Sequence, residues 1–126
     1  MPPKKVKSES YLNFLSNKKC VISGSSSIDI HHESLLSGFR GSAKRYNDFQ
    51  ALPLDKDLHI GVRHLLGKEK FWEKYRVNPY EISEKLLIEY LSTGPLDAEV
   101  ALLYLEEVRS LKNQWKGDYS PKYKSL

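Results

Sequence analysis

The stretch Ser27-Ile28-Asp29-Ile30-His31-His32-Glu33-Ser34 constrains the fold of this chain more than any other feature. Ile28 and Ile30, spaced by two, read as one face of a half-buried strand. Successive side chains on a strand point to opposite faces, so His31 and His32 diverge unless the chain bends there. The question is what a strand ending in two imidazoles and a carboxylate is built to do.

The surrounding pattern supplies the other elements. Residues 11–19, with Tyr11, Leu12, Phe14 and Leu15, fit a short helix or turn on the core. Cys20-Val21-Ile22 and Ile28 to His32 read as two strands of a hairpin turning at Ser23 to Ser27. Residues 33–46 hold two glycines, three serines and three basic groups, the mark of a loop. Residues 47–54 read as a short extended piece ended by Pro53, which disfavours helix at Leu52.

Asp55 and Asp57 sit where a helix N-terminus favours negative charge, and that helix is expected to run to about Leu66 and stop at Gly67. Residues 69–75 continue as a further helical turn or two. Residues 81–92 form a helix with Ile82, Leu86 and Tyr90 on one stripe and Leu87 and Leu91 beside it. After Gly94-Pro95 a longer helix runs from Leu96 to about Trp115, with Leu96, Val100, Leu103, Leu111 and Trp115 recurring at helical spacing. Tyr90, Tyr104 and Trp115 read as packing residues, and Cys20 as a small buried hydrophobe.

These elements make an α+β protein of one modest core. The expected organisation is a basic flexible tail over 1–10, a strand-and-helix core over 11–79, a C-terminal helical addition over 80–116 and a flexible tail over 117–126. The opening Pro-Pro-Lys-Lys-Val-Lys has the look of a nuclear-import signal, but a disordered basic tail is the preferred reading.

Charge distribution narrows the partners. The net charge of +4 is mild. Residues 40–76, however, carry nine basic and five acidic side chains, whereas residues 81–107 carry one lysine and seven acids. Basic charge follows the histidine segment, which suits a polyanion there. No apolar run approaches the length of a membrane span and no signal-peptide core follows Met1, so a cytoplasmic protein without membrane association is expected. One cysteine rules out an internal disulfide framework and agrees with a reducing compartment.

Three elements then line up in order. They are the strand ending "HHES", the loop "GFRGSAKRYNDFQALPL" and the helix "DKDLHIGVRH". This order resembles the HNH (His-Me finger) endonucleases, and more narrowly the phage-encoded recombination nucleases of the Ref type and related prophage proteins. The resemblance covers about residues 20–76. It implies a ββα-metal core with appended C-terminal helices, and metal-dependent hydrolysis of DNA phosphodiester bonds in recombination or replication. Such hydrolysis needs an activated water and a cation on the phosphate, and an imidazole titrates near working pH.

Carried over residue by residue, the resemblance makes His31 a metal ligand and His32 the base. Asn47 and Asp48 compete for the role that orients the base, with Asp48 the slightly better fit. His59 completes the metal site. His64 lies about 140° further round a regular helix, so it joins His59 at one ion only where the helix distorts, and it reads first as a phosphate contact or a plain surface histidine. Arg40, Lys44, Arg45 and Arg63 are candidate DNA contacts, although a solvated loop needs such residues anyway. Glu33 is an extra ligand or an exposed acid, the second being preferred.

The implied cofactor is Mg²⁺ or Mn²⁺. A structural zinc of the kind many relatives carry is not expected, because the positions of its two Cys-x-x-Cys pairs read Cys20-Val-Ile-Ser23 and Asp55-Lys-Asp-Leu58. Two other readings stand beside the nuclease. One is a degenerate scaffold of the same fold that binds DNA or a recombination or replication protein, of host or phage, without cutting. The other is a helical interaction protein that dimerises through Leu103 or Leu111.

Overall fold

The structure is a computed structural model, and it describes residues 6–36 and 47–113. The architecture is α+β: five helices and short helical turns around one two-stranded antiparallel sheet. Helix α1 spans Glu9–Ser16, strand β1 Ile28–His32 and strand β2 Ala51–Asp55. A π-helical turn, Leu58–Arg63, follows and continues as α2, His64–Leu66. Helices α3, Lys68–Tyr75, α4, Pro79–Leu91, and α5, Ala98–Lys112, complete the chain.

β1 does not pair with residues 20–22. Its partner is β2, with Ile30 opposite Pro53, His31 opposite Leu52 and His32 opposite Ala51. The expected hairpin is thus replaced by a wider connection over 33–50. Residues 20–22 are drawn instead into a turn, in which the Gly24 amide donates to the Cys20 carbonyl. The Cys20 thiol is buried, as expected, and its Sγ accepts from the Ile22 and Ser23 amides. Val21 keeps one strand-like bond, from its amide to the Pro53 carbonyl. That bond shows why Pro53 does not end the extended piece. Its carbonyl faces away from β1, so its missing N–H lies on the outer edge of β2 and removes no ladder bond.

Residues 51–54 of β2 are all buried, so both faces of this strand are covered. α1 and the 3₁₀ turn Asp48–Gln50 lie against one another, and α4 packs on α5. The core is continuous across the expected boundary at residue 80: Tyr11 of α1 meets Tyr90 of α4 edge-on at 4.9 Å, and Phe49 stacks on Tyr104 of α5 at 5.6 Å. The C-terminal helices therefore share the single core.

Local signals explain the helix ends. Ser8 caps α1 by accepting from the Tyr11 amide, and Asn78 caps α4 with Pro79 at its first turn. Asp55 Oδ1 accepts from the Asp57 and Leu58 amides at the start of the π-helical turn. Gly67, with φ +84°, ends α2 in a conformation that strains other residues. Residues 6–10 do not behave as a tail: Ser8 is buried and Glu9 begins α1.

On α5 the buried face is Ala101, Leu105 and Val108, while Leu103 is exposed, and Leu96, expected to begin this helix, lies exposed before its start at Ala98. The expected stripe was thus rotated relative to the true one. Trp115 and residues 117–126 lie outside the described residues.

Candidate functional site

The pleat of β1 sorts its polar side chains into two sets. Asp29, His31 and the following Glu33 alternate onto one side, where the π-helical turn packs. His32 points the other way. No bend brings the two adjacent imidazoles together. Each instead meets its own partners.

On the first side, His31 and His59 lie with ring centroids 4.9 Å apart, although 28 positions separate them in the chain. Asp29 Oδ2 accepts from His59 Nδ1 at 3.1 Å. Glu33 Oε1 accepts from His31 Nε2 at 3.2 Å. Each carboxylate occupies one ring nitrogen and leaves the opposite one, His31 Nδ1 or His59 Nε2, as the lone-pair nitrogen. His64 joins this corner, its ring 5.7 Å from that of His59. The distortion that the sequence required is present: hydrogen bonds closing at i→i+5 widen the turn so that residues five apart approach.

Glu33 is fully buried and is not the exposed acid that was expected. Its Oε1 accepts from His31, from Arg63 Nε at 3.2 Å and from Trp72 Nε1 at 2.6 Å. Its Oε2 accepts from Arg63 Nη2 and the Leu35 amide, each at 3.1 Å. Burial opposes its ionisation, but the hydrogen bonds from His31 and Arg63 and the charge of Arg63 outweigh that and hold the carboxyl down at about 2. Burial dominates at His31 and lowers its pKa, with Arg63 and His59 acting in the same direction and Glu33 against it.

Arg63 was expected as a nucleic-acid contact. Its guanidinium is instead committed to Glu33 through two nitrogens, in the forked geometry that favours arginine over lysine.

On the second side, His32 Nε2 lies 2.9 Å from Asp48 Oδ1. Asp48 Oδ2 accepts from the Ser8 amide at 2.6 Å, which fixes the carboxylate in place. With the carboxylate accepting, Nε2 carries the hydrogen and Nδ1 is the basic nitrogen of the pair. Of Asn47 and Asp48, it is Asp48 that meets the His32 ring. Asn47 is buried, its Oδ1 accepts from the Val6 amide at 2.6 Å, and it forms a reciprocal capping box with Gln50. Asn47 therefore holds the loop, and Asp48 alone touches the imidazole.

Arg40, Lys44 and Arg45 lie outside the described residues. Among the described residues, no group of three His, Cys, Asp or Glu side chains is already set at metal-holding distances. No helix of the described residues is long and apolar enough to cross a membrane.

The sequence reading missed the part played by Glu33, Arg63 and Trp72. The signal for Glu33 was present in the alternation 29, 31, 33; nothing in the sequence pointed to Trp72. Comparisons with protein-family models, with curated proteins and with solved structures found no match to this chain.

Proposed function

We propose that this chain is a metal-dependent DNA endonuclease of the HNH type, with β1, β2 and the π-helical turn serving as its ββα core. The observation that carries the reading is the pairing of three imidazoles with three carboxylates at one strand end: His31 with Glu33, His32 with Asp48 and His59 with Asp29. A histidine that ligates a metal characteristically donates its other N–H to a carboxylate, and a histidine base is oriented in the same way.

The donor set fits a divalent ion. His31 Nδ1 and His59 Nε2 are the nitrogens left unprotonated, and His64 stands beside them. Imidazole nitrogens suit Mn²⁺ better than Mg²⁺, which prefers a shell of oxygens. A bound ion supplies Lewis-acid stabilisation of charge on the phosphate and the leaving oxygen. His32 takes the proton from the attacking water at Nδ1, while Asp48 holds the ring in the productive tautomer and stabilises the imidazolium that forms. Basic residues of the segment 40–45 fit the role of phosphate contacts, as the charge surplus of residues 40–76 suggests. A role in phage recombination or replication follows from the sequence resemblance alone.

A second reading, a scaffold that binds DNA or a protein without cutting, is favoured by one observation: no three donors already converge on a point among the described residues. Nicking of supercoiled plasmid by the full chain, with Mn²⁺ and with EDTA, separates the two. The nuclease reading expects metal-dependent product that His32→Ala reduces by about 10²- to 10⁴-fold while DNA binding stays near wild type. Equal nicking by the variant, in material free of contaminating nuclease, removes the assignment of His32. Absence of any metal-dependent product leaves the binding scaffold.

A further inference from the structure

We infer that Glu33 is a positioning residue that sets the tautomer of His31, and that Arg63 and Trp72 serve to hold Glu33 in that office. The inference deepens the proposed nuclease reading and draws on it only for the consequence in metal binding.

The argument starts from cost. Removing a carboxylate and a guanidinium from water is expensive, and well-packed apolar side chains of similar volume often do as well or better for stability. Burial of Glu33 is therefore weak evidence of a stabilising role. Its geometry is more specific. Five donors converge on its two oxygens, from the 3₁₀ turn after β1 (Leu35), from the π-helical turn (Arg63), from α3 (Trp72) and from His31 itself.

Leu35, Arg63 and Trp72 alone would hold the carboxylate in place. With both oxygens fixed, the third contact on Oε1 is a directed demand on His31. An ionised carboxylate can only accept, so the His31 nitrogen facing it must be protonated. His31 then presents Nδ1 as its lone pair, on the nitrogen not bonded to Glu33.

Arg63 is four residues beyond His59 on the π-helical turn, so the same guanidinium that steadies Glu33 also ties the turn bearing His59 to the strand end bearing His31. The 4.9 Å approach of the two rings is accompanied by this link. Glu33 is therefore bonded to the elements that carry both imidazoles.

The test is a long-range ¹H–¹⁵N correlation spectrum of the ¹⁵N-labelled full chain at pH 7, beside isothermal titration with Mn²⁺. Wild type is expected to show His31 with hydrogen on Nε2 and not on Nδ1. In Glu33→Leu, which keeps roughly the volume and offers His31 no acceptor, His31 is expected to lose its preference for the Nε2–H form and populate the Nδ1–H form while the His32 signals hold. Mn²⁺ affinity is expected to fall about 10- to 100-fold.

An Nδ1–H form of His31 in wild type overturns the inference whether or not the variant folds. So does a folded Glu33→Leu whose His31 tautomer and Mn²⁺ affinity match wild type. A wild type with the expected tautomer and the expected shift in Glu33→Leu, but no Mn²⁺ binding, upholds the role of Glu33 and counts against the metal-dependent reading instead.

Discussion

Helices α4 and α5 meet through apolar faces, with Ile82, Leu86 and Leu87 buried on one and Ala101, Leu105 and Val108 on the other. Where β1 meets the π-helical turn, the contact is made of charges and imidazoles: Asp29 to His59, and Glu33 to Arg63 and His31. The apolar part of the first contact is non-directional and scales with the area removed from water, with Glu84 of α4 accepting from Arg109 and Lys112 of α5 beside it. The second is directional, since each bond fixes a nitrogen, a rotamer and a proton. Apolar burial and directed polar bonding thus dominate different regions, and the two can be perturbed separately.

The largest separation is expected at Asp48. In Asp48→Asn the side-chain oxygen can still accept from the Ser8 amide, so the fold should persist. The amide group then faces His32 Nε2 and forces the hydrogen onto Nδ1, which removes the basic nitrogen. Plasmid nicking should fall by about 10²- to 10⁴-fold with little change in melting temperature. Nicking within tenfold of wild type would place the base elsewhere.

The converse is Leu86→Ala, in the fully buried face of α4. It should lower unfolding free energy by about 2–5 kcal/mol in urea titration, while nicking per folded molecule stays unchanged. A specific loss of activity at full folding would show that the two regions are coupled.

Acid should weaken the polar corner. The Glu33 carboxyl titrates at about 2 when folded, against an ordinary 4.5, so its contribution to stability is complete above about 4.5. It is lost as pH falls from there toward 2, because the unfolded chain takes up the proton more readily. The slope of stability against pH in that window should be shallower in Glu33→Gln than in wild type.

The smallest expected effect is at Asn78, whose side chain accepts from the Tyr80 and Glu81 amides at the start of α4. Asn78→Ala should cost about 1 kcal/mol by the same titration, again without changing activity per folded molecule.

The parts legible in the sequence were those written by period and punctuation. Ile28 and Ile30 marked β1, Gly67 marked the end of α2, and Ile82, Leu86 and Tyr90 marked the buried stripe of α4. The nearness of His31 to His59 was expected only through the family resemblance. Strand pairing was not, because Cys20-Val21-Ile22 offered β1 a nearer partner than residues 51–55, and only three-dimensional packing decides between a short loop and a long one. Glu33 was misjudged for a related reason: a glutamate after a strand is ordinarily solvated. Its burial depends on Arg63 and Trp72, which are 30 and 39 positions away. The buried face of α5 was displaced because its leucines are so numerous that several stripes fit equally well.

The width of a single helical turn has a consequence for how many side chains this protein can gather. On a regular helix, position 63 stacks over position 59 and position 64 swings to the flank, so a designer restoring ordinary winding would keep Arg63 and forfeit His64. The wider winding lets the fourth and the fifth residues beyond His59 flank it on either hand, one reaching Glu33 and the other lying beside the imidazole. Convergence at this corner is set by the backbone's pitch as much as by the choice of amino acids.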